Sequence, residues 1–447
     1  MNDIASIVIK FGGTSVSTAS NIRTIVSIAR RLEKKHPVIV VSALSGVTDL
    51  LLACANISVS DTDEKIAQIR QRHESLIQEL WQDEGLRQEI ISYIDKQLLS
   101  VSKLLQRKKK DKCFFDLVVS YGEIMSSCII SKFLQNQGIQ SEQVIATKLI
   151  VTDNHFGSAE FQARDTEINT RKVIIPLLKK RIVPVITGFI GATKNGETTT
   201  LGRGGSDYSA SIIGYSLHAS EIQIWTDVNG IFTADPRIVK NARPISQVSY
   251  REASEMAYFG AKVLHPRTIR PAIKAEIPVR VLNTLNPDHP GTIITRNSSL
   301  ANSLTAVTCK RRTTLVNMYA AEMFLKKGFL VRIFDAFAKE YMSIDFVSAS
   351  EVSVSVTLDN DERLENAVKI LEKFTTVSIN KDVATVSLIG EGIGKNSEII
   401  LSSFSILKKN NISVKMISFN AANINVGFVI SAEHVELAVQ KLHDGLL

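Results

Sequence analysis

Residues 6–15 read Ser-Ile-Val-Ile-Lys-Phe-Gly-Gly-Thr-Ser. A short apolar run with this composition is a buried strand, and it ends in Lys10 followed by Gly12, Gly13 and two hydroxyls. Glycines leave backbone N–H groups open to close approach by a polyphosphate, because no Cβ stands in the way. The familiar phosphate loop places its lysine after the glycines; here the order is reversed. The stretch is therefore either a different kind of phosphate site or a tight turn, and the rest of the chain has to decide.

Working outward, the first half alternates strand and helix. Asn21–Lys35 carries Ile22, Ile25, Ile28, Ala29 and Leu32 at helical spacing, and Pro37–Leu44 reads as the next strand. A long polar helical stretch spans about residues 61–107. Then Asp116–Gly122 (DLVVSYG) reads as a strand, Met125–Gly138 as a helix and Ser141–Ile150 as a strand. Val183–Ala192, Glu221–Thr233 and Ile277–Asn283 read as further buried strands. Nearly continuous apolar strands alternating with helices predict an α/β fold, a mainly parallel sheet sandwiched by helices, with ligands bound beyond the strand ends.

Composition shifts near Asn297–Ser303, and an internal repeat follows. Phe329–Ser348 aligns with Ile399–Ser418 at a fixed offset of 70, with Phe334/Phe404, Lys339/Lys409, Ser343/Ser413 and Ser348/Ser418 identical. Phe329, Leu330, Ile333, Phe334 and Phe337 form one helical stripe. Each copy belongs to a βαββαβ unit used twice. The second copy ends on its helix and lacks a last strand, while a spare strand, Leu304–Lys310, precedes the first copy. The economical arrangement inserts the first unit within the second.

Bulk properties exclude several classes. A net charge of +8 over 447 residues is mild, and the run Arg107–Lys110 has no interleaved aromatics, so it reads as a solvated loop and not a nucleic-acid surface. Cys54, Cys113, Cys128 and Cys309 form no C-x-x-C pair, which points to a reducing compartment and away from structural zinc. The eight histidines include no H-E-x-x-H, no apolar run reaches membrane-spanning length, and the start lacks a signal-peptide layout. The expectation is a soluble cytoplasmic protein, with no membrane and no nucleic-acid partner.

Four further stretches carry chemistry. Thr198–Ala210 (TTTLGRGGSDYSA) offers a glycine-rich loop leading to a helix N-terminus, an anion cradle. In it, Arg203 can grip a carboxylate, and Asp207 either organises lysine and phosphate or caps the helix. In Val119–Ser127 (VSYGEIMSS), Glu123 reads as the opening of a helix, where it either binds an ammonium group or simply complements the dipole. Trp225–Arg237 (WTDVNGIFTADPR) reads as a strand and loop suited to a nucleotide's base and ribose. In Phe259–Pro266 (FGAKVLHP), Lys262 can reach phosphates, and His265 reads as structural.

Together with KFGGTSV, these stretches resemble the motif series of the aspartokinases, within the amino-acid kinase superfamily. The resemblance runs nearly the whole chain, because the repeated units resemble ACT domains. It is nearest the monofunctional, lysine-sensitive type. It implies a catalytic domain over 1–296 and a regulatory region over 297–447, with the first ACT unit at 314–382 and the second at 303–313 plus 383–447. It further implies transfer of the γ-phosphoryl group of ATP, with Mg²⁺, to the side-chain carboxylate of L-aspartate. A carboxylate acceptor is already ionised at neutral pH, so such a site needs positioning and charge neutralisation and no general base.

By motif position the resemblance makes Lys10 and Asp207 catalytic. It sets Phe11, Gly12 and Gly13 on the phosphates, and Thr226, Asp227, Phe232, Arg237, Lys262 and Val263 on the nucleotide. Thr48, Glu123, Arg203, Gly204, Gly205 and Ser206 fall on the aspartate, with Arg203 at its α-carboxylate and Glu123 at its α-ammonium. Met323, Phe329, Leu330, Ser343, Ile344, Asp345, Ser350 and Glu351 match a lysine-binding effector segment, whose acids suit lysine's two ammonium groups. Three departures stand out: Phe232 replaces a usual tyrosine, Lys326 a small polar residue and Ala349 a hydroxyl residue. Lysine inhibition and a homodimer or homotetramer built through the ACT units are further expectations of the resemblance. The alternatives are another amino-acid kinase and a catalytically silent amino-acid sensor.

Overall fold

The structure, a computed structural model, describes residues 4–447 apart from 59–60, 108–109, 261–263, 298–302, 322–326 and 420–423. The chain divides into two compact units, Met1–Ile231 with Leu264–Arg296, and Phe232–Val263 with Asn297–Leu447. The segment Phe232–Val263 thus clusters with the second unit, so the boundary is not a single cut at residue 296.

In the first unit the main sheet runs in the order Ser141–Val144, Val183–Thr187, Pro37–Val41, Ile7–Phe11, Glu221–Thr226, Val279–Asn283, Thr292–Thr295. Every pair is parallel except the last, which is antiparallel. Ile7–Phe11, Pro37–Val41 and Val183–Thr187 are buried at every position, as expected of strands covered on both faces. The opening strand is central, with Lys10 in register with Val40 on one side and Ile224 on the other. The loops after the parallel strands therefore emerge at one edge, where such sheets hold ligands. A small second sheet joins Val151–Thr152, Ile190–Thr193 and Thr198–Thr200.

One element differs from expectation. Residues Lys112–Asn136 form a single 25-residue helix, and no strand forms over Asp116–Gly122. The Asp111 side chain caps it by accepting from Phe114 N at 3.0 Å. Its apolar residues run unbroken because the helix is buried on nearly all sides, and a short window of such a helix has the same composition as a buried strand. The helix is also long and apolar enough to cross a membrane by length and composition alone, which corrects the expectation that no run reaches that length, but most of that window is buried inside the unit.

In the second unit one antiparallel sheet has the order Ile344–Ala349, Ser353–Leu358, Ala306–Tyr319, Thr376–Ile389, Asn425–Ser431, Val414–Phe419. Its two central strands are 14 residues each and serve both repeats. Ala306–Lys310 pairs with Thr385–Ile389, which pairs with Asn425–Val429, so the spare strand completes the second repeat and the first is inserted in it. Register shifts on either side of Thr313 mark the hand-over. Each repeat has its own core, one around Phe337, Val354 and Leu371, the other around Val386, Phe428 and Leu442. The repeated helical stripe splits: Phe329, Ile333 and Phe337 are buried, while Leu330 and Phe334 are exposed.

Candidate active site

Lys10 is held in a central strand with only 9% of its surface exposed. Its ammonium Nζ lies 2.6 Å from Asp207 Oδ1. Asp207 is the third residue of the helix Gly205–Leu217, whose N-cap is Gly204 in a left-handed conformation, φ 70°. Asp207 is therefore not the cap, and its carboxylate is directed to the lysine. A carboxylate in a first turn is also favoured by the helix dipole. Gly12 follows Lys10 so closely that a Cβ there would stand 3.3 Å from Nζ. Bare backbone at Gly12 thus borders the ammonium, and Gly13 opens the next helical turn, Gly13–Val16.

Glu123 lies in mid-helix and not at a helix opening. Gly122 allows this helix to approach the loop after the second strand, since a Cβ on it would meet Ala43 Cβ at 2.8 Å. The approach brings Ala43 N to donate to Glu123 Oε1 at 3.1 Å, and Ser126 Oγ to donate to Ser42 O at 2.8 Å. Glu123 Oε2 is buried and has no hydrogen-bond partner. Burial pushes its pKa up to about 8, opposed by the Ala43 bond. The side chain is thus a carboxyl group one contact short of a satisfied carboxylate.

Two turns earlier on the same helix, Asp116 was not anticipated. It is buried and accepts from Thr200 N at 2.7 Å, Thr200 Oγ1 at 2.8 Å and Gly157 N at 2.8 Å. It anchors the strand Thr198–Thr200 that leads into the glycine-rich loop. Desolvation raises its pKa and the three hydrogen bonds oppose the shift. Read as a helix, a lone acid seven residues before Glu123 in an apolar run would have pointed to it, because that spacing shares a face.

Beyond Thr200, Arg203 is exposed and makes no ion pair among the described residues. Gly205 is buried, and Ser206 is buried against Gly188, where a Cβ would stand 2.7 Å from Ser206 Oγ. Thr48 is half-buried in the helix Val47–Asn56. Lys10, Gly12, Gly13, Glu123, Ser206 and Asp207 thus gather around the ends of the first, second and fourth main-sheet strands in chain order, joined by the contacts above.

At the end of the next strand, Thr226 Oγ1 donates to Asp227 Oδ1 at 3.1 Å, and Phe11 packs 6.1 Å from the buried Trp225 ring. Phe232 and Arg237 belong to the second unit. There Arg237 is held by Asp235, at 2.7 Å and 3.0 Å. Lys262, Val263, Met323 and Lys326 lie outside the described residues. Among the described residues no three His, Cys, Asp or Glu side chains cluster to hold a metal.

The effector-segment residues are in the second unit. Phe329 is 3% exposed in the first repeat's core, so it reads as packing. Ser350 Oγ pairs with Ser353 Oγ at 2.8 Å, and Ser343 and Glu351 are exposed. Asp345 is already engaged, because Lys310 Nζ lies 2.9 Å from it and Tyr258 OH donates to it. Its carboxyl pKa is nonetheless pushed up to about 6, chiefly by burial.

The amino acid kinase family profile matches residues 5–283, and an ACT domain profile matches 386–446. Aspartokinase 1, chloroplastic, of Arabidopsis thaliana is 35% identical, covering 98% of this chain and 79% of its own length. Lysine-sensitive aspartokinase 3 of Escherichia coli (strain K12) is 33% identical, covering 98% and 99%. The crystal structure of E. coli aspartokinase III with aspartate and ADP in its R-state superposes with a TM-score of 0.86 at 32% identity, covering 99% of each chain. The chain therefore belongs to the amino acid kinase family and, within it, to the aspartokinases.

Proposed function

We propose that this chain is an aspartate kinase, transferring the γ-phosphoryl group of ATP to the side-chain carboxylate of L-aspartate to give 4-phospho-L-aspartate, the first step toward lysine, threonine and methionine. The observation that carries the reading is the Lys10–Asp207 pair, set at a strand end beside bare glycine backbone and near a buried carboxyl group with an unfilled oxygen.

In this reading Lys10, oriented by Asp207, neutralises charge on the transferred phosphoryl group, and the Gly12 and Gly13 backbone lines the phosphates. The aspartate ammonium fills the vacancy at Glu123 Oε2 and draws that group to its ionised form, while Arg203 takes the α-carboxylate. Thr48, Gly204, Gly205 and Ser206 line the same pocket. Phe11, Thr226, Asp227, Phe232, Arg237, Lys262 and Val263 serve the nucleotide. Mg²⁺ suits a site in which the phosphates themselves supply most ligands.

Feedback by L-lysine is supported by the lysine-sensitive E. coli relative and by the tandem ACT units. Met323, Leu330, Ser343, Ile344, Asp345, Ser350 and Glu351 remain its proposed contacts, with Phe329 as packing. Exposed Leu330, Val331 and Phe334 in one repeat and Leu401 and Phe404 in the other support a homodimer or homotetramer through these helices. Four free cysteines support a reducing, cytoplasmic setting.

The test is ATP- and Mg²⁺-dependent acyl phosphate formation, trapped with hydroxylamine, using L-aspartate, L-glutamate and N-acetylglutamate, each with and without L-lysine. Hydroxamate from aspartate alone, suppressed by lysine, is expected. Product from another acceptor would indicate a different amino-acid kinase. No product from a folded, ATP-binding protein would leave the sensor reading.

A further inference from the structure

Asp116 and Glu123 sit on one face of the helix Lys112–Asn136, because their spacing is close to two full turns, and about 10 Å separates them along its axis. Glu123 meets the loop after the second strand through Ala43 N, whereas Asp116 meets the strand that leads into the Arg203 loop through Thr200. We propose that Asp116 is a positioning residue for the amino-acid substrate. It fixes the spacing between the Glu123 carboxyl group and the Arg203 loop, and so the fit of an α-ammonium and an α-carboxylate held at once. The inference rests on the kinase reading, which gives those two substrate groups to Glu123 and Arg203.

Three donors converge on the Asp116 carboxylate. Oδ2 accepts from Thr200 N at 2.7 Å and from Gly157 N at 2.8 Å, and Oδ1 accepts from Thr200 Oγ1 at 2.8 Å. Two of these donors are main-chain N–H groups, so the bonds locate the chain itself and not merely a rotamer. Ala159 N in turn donates to Thr200 O at 2.9 Å. The segment 157–159 is thereby tied at both ends to Thr200 and its acid. From another side, Arg267 Nη2 donates to Ser158 O and to Ala159 O, each at 3.0 Å.

That segment is the floor of the Arg203 loop. Gly202 has a left-handed φ of 78°, and a Cβ on it would stand 3.2 Å from Gly157 O and 3.3 Å from Ser158 Cβ. Gly204, with φ 70°, is backed in the same way, since a Cβ there would stand 2.9 Å from Thr268 Cγ2. Arg203 is thus an exposed side chain on a backbone wedged at both flanking residues. A shift of the segment 157–159 must move Gly202, and Arg203 with it. Asp116 links that segment to the helix of Glu123. Such bracing matters because a misplacement of about 1 Å in a substrate-holding group can cost about a hundredfold in rate.

Steady-state kinetics of the full chain with L-aspartate and ATP test this. Asp116→Ala leaves the three donors without their acceptor and should raise KM for aspartate about tenfold, with KM for ATP unchanged. Asp116→Asn should stay within about threefold of the parent, because its amide oxygen can take both N–H groups while its amide nitrogen donates to the Thr200 hydroxyl, which can also accept. Thr200→Val, at a buried position, keeps the volume and both N–H bonds and removes only the hydroxyl bond. It should raise KM for aspartate about threefold, and it decides the matter if Asp116→Ala does not fold. The parent's KM for aspartate in folded Asp116→Ala, or in Thr200→Val, would overturn the proposal. So would equal rises for aspartate and ATP, the mark of a general loss of structure. Asp116→Asn as impaired as Asp116→Ala would also overturn it, by showing that charge and not placement is what Asp116 supplies. A parent that does not phosphorylate aspartate overturns the kinase reading and this inference together. A parent that does, with variants of unchanged KM, overturns this inference alone.

Discussion

Each unit holds one lysine–aspartate pair away from solvent, and the two are closely matched. Lys10 and Asp207 side chains are 11% and 16% exposed, and Lys310 and Asp345 are 12% and 1% exposed. Their surroundings differ. Lys10 borders glycine backbone; Lys310 is pressed against the rings of Tyr258 and Phe259 and shared with Asp359. A buried ion pair by itself says little about purpose, because desolvation offsets much of its attraction. What stands beside the pair separates a lysine poised for a ligand from one whose coordination is complete.

The sharpest way to break this comparison is to remove each cation. Lys10→Ala should lower kcat by about a thousandfold, the scale of losing one preorganised charge contact, with the fold retained by circular dichroism. Near-normal kcat would show that the open lysine is no more functional than the closed one.

Glu123→Gln comes next, since Glu123 is a buried carboxyl group with no lysine partner among the described residues and one oxygen without a donor. It should raise KM for aspartate about a hundredfold while leaving nucleotide affinity unaltered, as expected for loss of a charged contact. In the parent protein kcat/KM for aspartate should rise as pH approaches 8, the pKa of Glu123. The rise should vanish in the variant, and an identical pH profile would remove Glu123 from the substrate side. The same raised pKa has the opposite sign for folding. The folded state holds the proton more tightly than the unfolded chain, so this group's contribution to stability is full below its ordinary value and declines as pH rises toward 8.

Lys310→Met should leave kcat near normal and cost about 2 kcal/mol of stability at neutral pH, because Asp345 would be left buried without its cation. The deficit should shrink in mildly acidic buffer, where Asp345, with its pKa already pushed up to about 6, takes up a proton. Urea midpoints at two pH values measure this, and a deficit independent of pH would show that packing, not charge, is what Lys310 supplies.

Much of this was legible from sequence for physical reasons. Ile7–Phe11 is short and apolar throughout, so its strand is unambiguous, and the seventy-residue repeat exposed the tandem units because identical residues recur at fixed spacing. The insertion of one repeat within the other followed from counting strands. Asp116–Gly122 was misread because a fully buried helix loses the periodicity that reveals a surface one. Asp116 was missed with it, because the strand reading hid the helix face it shares with Glu123. Lys310 was missed for a different reason: its partner Asp345 lies 35 residues away in the chain, and no local pattern announces that pairing.

One feature of the second unit bears on how such proteins diversify. The first repeat leaves and rejoins the second at neighbouring points, for Thr313 and Val383 are directly paired on the two long strands. The inserted repeat is therefore a cassette whose ends already meet. A short turn bridging those positions would close the gap and leave a hairpin in the remaining sheet. By the same logic, a foreign sensor with closely spaced termini could be spliced at that joint, giving one enzyme scaffold a new metabolic input without redesign of its other repeat.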